Sequence, residues 1–67
     1  MKETKSGFLT KINENPSRLD LMEKGAGKRE IEIDESKFDL DTAKQLIGFS
    51  VQVEIEYDKA IAIKKEQ

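Results

Sequence analysis

Side chains able to do chemistry near neutral pH are scarce in this chain, which has no His and no Cys among its 67 residues. That removes Ser-His and Cys-His nucleophiles, imidazole bases and the usual zinc ligands. Carboxylates remain, and Asp34, Glu35, Asp39 and Asp41 gather in one short stretch. The stretch lacks the alternating oxygen ligands and central Gly of a calcium loop. Acids are favoured near a helix start by its dipole, so capping and solvation account for these four. Gly25-Ala26-Gly27-Lys28 has the glycines of a phosphate loop but not its spacing, and no helical pattern follows. It reads as a hairpin turn. The expectation is a non-enzymatic chain with no catalytic residue, no metal and no cofactor.

With chemistry set aside, composition bounds the class. A chain of this length makes one domain, here with an ordered core expected over 7–65, and its core is small. Without Cys, that core depends on packing and sheet hydrogen bonds alone. The 14 acids and 12 bases nearly cancel, so a net charge of −2 draws neither nucleic acid nor anionic lipid from a distance. The start, MKETKSGFLTK, has no apolar leader segment, and nowhere does an apolar run reach the length of a membrane span. A cytoplasmic protein is expected, folded between frayed ends at 1–6 and 65–67.

The elements that must position any binding surface are strands. Val51, Val53, Ile55 and Tyr57 alternate with Gln52, Glu54 and Glu56, the period of a strand with one buried face. Ile61 and Ile63 follow after a polar break. A three-residue loop over 58–60 pairs Tyr57 with Ile61 and Ile55 with Ile63, which keeps acids off the inner face. Upstream, residues 7–13 place Phe8, Thr10 and Ile12 on one face, and 18–24 place Leu19 and Leu21 on one face. Asn15-Pro16 marks a turn between them. This pairs Ile12 with Leu19 and Thr10 with Leu21 inside, Lys11 with Asp20 and Leu9 with Met22 outside. A three-residue loop at Gly25 to Gly27 then pairs Leu21 with Ile31 and Leu19 with Ile33. After Asp34 the alternation stops, and Leu40, Ala43 and Ile47, helped by Leu46, recur at helical spacing. Ser36, Asp39 or Asp41 supplies the cap, and Gly48 ends this short helix.

Three meandering strands, a helix and a two-stranded hairpin make a mainly β chain in the order β-β-β-α-β-β. That order, with LIGFSVQVEI at 46–55 leading from helix end through Gly into a hydrophobic strand, resembles the OB-fold barrels over Gly7 to Lys64. No diagnostic motif accompanies it. An SH3-like barrel, or an open antiparallel sheet with one helix against it, accounts for most of the same alternation.

The OB-fold resemblance implies binding across the outer face of the second and third strands, most often of nucleic acid. Here that face carries Asp20, Met22, Glu30 and Glu32 and no aromatic, the opposite of a cationic stacking platform. Leu9 and Met22 are the one apolar pair that the registers leave outside. A protein partner is therefore expected at Leu9, Lys11, Asp20, Met22, Glu30 and Glu32. The alternative is weak single-stranded nucleic-acid binding by a basic rim of Lys11, Arg18, Lys28, Arg29 and Lys59. Phe8, Phe38 and Tyr57 are assigned to the core or its edge, Phe49 to the interior. No membrane partner is expected, and the chain is expected to be a monomer or a sheet-extended homodimer.

Overall fold

The alternating segments become five strands in one sheet: β1 (Lys2–Asn13), β2 (Arg18–Glu23), β3 (Gly27–Ile33), β4 (Ser50–Glu56) and β5 (Lys59–Lys65), with one helix, α1 (Leu40–Gln45), between β3 and β4. The computed structural model describes residues 2–23 and 25–66. The hydrogen-bonded order is β1-β2-β3-β5-β4, and β4 returns to β1 to close a ring. An open sheet is thereby excluded. All neighbours are antiparallel except β3 and β5, joined by the short parallel pairing Glu32↔Lys59 and Ile33↔Ala60.

The interior is what alternation requires. Leu19, Leu21, Ile31, Ile33, Val51, Val53 and Ile55 converge inside the ring, joined by Leu9, Phe38, Ala43 and Ala60. Ile12, Leu40, Leu46 and Ile63 pack against them. Asp39 caps α1 by accepting from the Thr42 backbone N–H at 3.2 Å, and its other oxygen accepts from the Thr42 hydroxyl at 2.8 Å. The cap places Ala43 on the buried side of a helix that lies against β5. Ile47, expected on the same stripe, lies beyond the helix and is exposed.

Three registers differ from the simplest alternation. Between β1 and β2, Asn13↔Arg18, Ile12↔Leu19 and Lys11↔Asp20 pair as expected, but Thr10 then bulges out of the ladder. Below it Leu9 pairs with Leu21, and Phe8 with Met22. One extra residue on one strand exchanges faces for everything beyond it. Leu9 is accordingly fully buried and Phe8 is 44% exposed, the reverse of expectation. The Thr10 hydroxyl donates to the Asp20 carbonyl at 3.2 Å and pins the bulge.

Between β2 and β3 the pairing slides by two residues, to Leu19↔Ile31 and Leu21↔Arg29, because Glu23 rather than position 24 closes the loop against Gly27. Ala26 donates its N–H to the Glu23 carbonyl at 3.2 Å, and Gly27 supplies a φ of +78°. A two-residue slide preserves faces, so the interior is unaltered. Lys24, expected to end the second strand, lies outside the described residues, as do Met1 and Gln67.

The last hairpin turns on two residues, Tyr57 and Asp58, both left-handed at φ 53° and 64°. Glu56 pairs with Lys59 and Ile55 with Ala60. A bulge at Ile61 then gives Glu54↔Ala62 and Val53↔Ile63, so Ile63 faces Val53 and not Ile55, and Tyr57 does not pair with Ile61. The turn sends Tyr57 into water, where it is 80% exposed instead of contributing to the core. β1 also starts five residues before Gly7: Lys2 to Ser6 pair with β4 from Glu56 to Gln52. Glu66 continues at the other end by donating its N–H to the Ser50 carbonyl.

Candidate functional site

The acidic stretch before α1 is occupied with local structure. The Asp34 carboxylate accepts from the Ser36 backbone N–H at 3.1 Å and from its hydroxyl at 2.6 Å. The hydroxyl bond is the main reason that its carboxyl sits below the ordinary aspartate range. Asp39 is lowered likewise by the Thr42 hydroxyl, and Glu35 accepts from the Ser17 hydroxyl. Among the described residues, no group of three or more His, Cys, Asp or Glu is placed to hold a metal ion. The glycines at 25 and 27 lie at the β2–β3 turn, with a strand and not a helix behind them.

What the fold does build is an outward face across β1, β2 and β3. Cross-strand pairing sets Lys28, Met22, Phe8 and Ser50 in one row over four strands. Met22 and Phe8 are each 44% exposed at its centre. An open hollow of about 490 Å³ lies beside them, lined by Ser6, Gly7, Phe8, Met22, Ser50 and Glu66. Gly7 brings β1 against β2: a Cβ there would lie 2.7 Å from the Met22 carbonyl oxygen and 2.9 Å from Leu21 Cγ.

Of the residues expected on this face, Met22, Lys11, Glu30 and Glu32 are exposed there. Leu9 is not; the bulge at Thr10 puts it in the core and gives its place to Phe8. Asp20 is on the outer face but only 6% exposed, with Lys28 Nζ 3.7 Å from one carboxylate oxygen. Its other oxygen and Arg18 Nε are buried with no hydrogen-bond partner.

The expected basic rim is divided. Arg18 pairs with Glu30 at 2.9 Å, Lys28 with Asp20, and Arg29 with Glu23 at 3.5 Å. Lys59 lines a separate cleft with Glu32, Asp34 and Glu35. Lys11 stands apart on β1.

Phe8 was not expected on this face. Phe49, expected in the interior, is 45% exposed, with Lys65 Nζ 4.5 Å from its ring centroid. The Leu9 N–H bonds the Phe49 carbonyl at 3.0 Å, and the Gly48 N–H bonds the Leu9 carbonyl at 2.8 Å. Gly48 and Phe49 are thus tied to β1 at Leu9, the residue after Phe8. The only hint in the sequence is the adjacency of Phe8 and Leu9, since two consecutive strand residues face opposite ways.

A closed five-stranded β ring with one helix and an outward apolar pair is the class that fold and face define. No protein-family model matches the chain, and neither a curated protein nor a solved structure matches it. Among the described residues no helix is long and apolar enough to cross a membrane.

Proposed function

We propose that this chain is an OB-type small barrel acting as a non-enzymatic protein-interaction module, with Phe8 and Met22 at the centre of its contact face. The ring order β1-β2-β3-β5-β4 and the helix between β3 and β4 support the OB-type reading over an SH3-like one. The observation that carries the function is the Phe8–Met22 pair. Two large apolar side chains face each other across neighbouring strands on the outside, where burial against a partner removes apolar area from water. The absence of His and Cys, and the local duties of Asp34, Glu35 and Asp39, support a binding rather than a catalytic role.

Single-stranded nucleic acid is the second reading, favoured by the exposed rings of Phe8 and Phe49, on which bases could stack. Against it, Arg18, Lys28 and Arg29 already hold carboxylates that phosphates would have to displace.

Quantitative affinity capture with the parent chain and with Met22→Glu and Phe8→Ser, alongside thermal denaturation, tests the proposal. Specific protein partners should be lost from both variants while the melting temperature holds. Partners retained by folded variants would refute the face. Fluorescence anisotropy with labelled oligonucleotides at low salt tests the second reading, because phosphate-driven affinity is greatest there.

A further inference from the structure

The cross-strand row on the outward face has two unlike ends. Lys28, Met22, Phe8 and Ser50 follow one another from β3 to β4, and Glu66 extends the row, its N–H bonded to the Ser50 carbonyl. A cation stands at one end, an acid at the other, and the apolar pair between them. One ladder step along, Lys11 stands opposite Asp20, with Glu30 next to Asp20 on β3. Among the described residues Lys11 has no carboxylate within ion-pair distance, and one Asp20 oxygen has no hydrogen-bond partner. Such a pattern is its own complement under a two-fold axis that lies in the contact plane, between β1 and β2 and parallel to them. The rotation sets β1 of one copy over β2 of the other.

Resting on the interaction-module reading above, we propose that the occupant of this face is a second copy of the chain, docked face to face rather than by sheet extension. Met22 of each copy covers the partner's Phe8, which sets sulfur on a ring and removes apolar area from water at two symmetric places. Lys11 comes opposite the partner's Asp20. The hollow beside Phe8, with Glu66 as its only charged lining residue, receives the partner's Met22 and the partner's Lys28. The incoming ammonium thus lies over Ser50 and beside Glu66. Glu30, already held by Arg18 at 2.9 Å, meets the uncharged stretch at 46–53. Neither row brings like charges together.

Sedimentation equilibrium from micromolar to millimolar concentration tests the inference, with thermal denaturation in dilute solution as the check on folding. A patch centred on two side chains per copy is at the small end of interfaces, so a dimer with a Kd on the order of 0.1–1 mM is expected. Met22→Glu and Phe8→Ser should each weaken it more than about tenfold while remaining folded. The register is tested with a nitroxide on Ala26→Cys, a unique cysteine in this chain, mixed with isotope-labelled parent chain. Broadening in the labelled copy should be greatest at Ser50 and Gln52, the β4 positions that the rotation brings to the β2–β3 turn. A parent chain monomeric throughout, a dimer that keeps its Kd in both folded variants, or broadening centred on β3 would each overturn the proposal. If the chain is monomeric and captured partners still depend on Phe8 and Met22, the contact face survives and only its occupant is wrong. If neither self-association nor any captured partner depends on those two residues, both readings fall together.

Discussion

Two regions of the ring place residues against the inside-outside rule, in opposite senses. At one, Phe8 and Met22 turn apolar side chains outward. At the other, Glu3, Lys5 and Arg29 occupy inward-facing positions, opposite Ile55, Val53 and Leu21 respectively. The charged region has an explanation within the fold. The Ile33 N–H bonds the Ser17 carbonyl, so odd residues of β3 face β2 and even ones face β5. The ladder to β5 stops at Glu32, which leaves the backbone groups of Lys28 and Glu30 without a strand. An open edge of this kind is protected by charge, including charge that points inward. Glu3, Lys5 and Arg29 line the hollow beside that edge, together with Ile31 and Ile55. The Phe8–Met22 pair protects no edge, because β1 and β2 are paired with each other there. Edge protection does not account for its exposure, and the proposed contact face is built on it.

The comparison breaks most visibly at neighbouring residues of β1. Leu9→Ala should cost about 2–5 kcal/mol, as a fully buried leucine does, whereas Phe8→Ala should cost under about 1 kcal/mol. Equal losses in chemical denaturation would mean that the bulge at Thr10 is misplaced. Next in size is Gly7→Ala, expected to destabilise by about 1–3 kcal/mol because the new methyl meets backbone and the buried Leu21 side chain. A smaller effect on stability but a visible one on association is expected from Lys5→Val with Arg29→Val. Removing inward charge from the open edge should raise self-association, measured by light scattering against the parent chain.

The smallest effect sharpens the charged side of the comparison. Asp34 and Asp39 have carboxyls held below the ordinary aspartate value of 3.8 by hydroxyl donors. A lowered folded-state value stabilises the fold above the unfolded value, and that contribution is lost as pH falls through the lowered one. Melting temperature should therefore fall on acidification below that ordinary value. Asp39→Asn, which keeps a capping oxygen but does not titrate, should show a shallower fall.

Much of the interior was legible in the sequence, because period-2 alternation survives any register change of two residues. Ile31 and Ile33 stay inside whether Ile31 faces Leu21 or Leu19, so the β2–β3 slide was invisible to pattern and harmless to it. The bulges at Thr10 and Ile61 were not legible, since a single extra residue is stabilised by tertiary pairing and has no composition of its own. That is why alternation alone sets Leu9 outside and gives the last hairpin a longer loop than Tyr57-Asp58. The strand at Lys2 to Ser6 was hidden for another reason. KETKS has no apolar residue, and it is a strand through its backbone pairing with β4. Met22, Lys11, Glu30 and Glu32 were located correctly on the outer face, while the aromatic partner of Met22 depended on the bulge.

Solvent paramagnetic relaxation in the NMR spectrum, with an uncharged gadolinium chelate, tests the facing of β1 most directly. The Phe8 ring and Met22 methyl protons should relax strongly, and the methyls of Leu9 and Leu21 should be protected. Leu9 methyls relaxing as fast as Met22, with the Phe8 ring protected, would contradict the bulge and the contact face built on it.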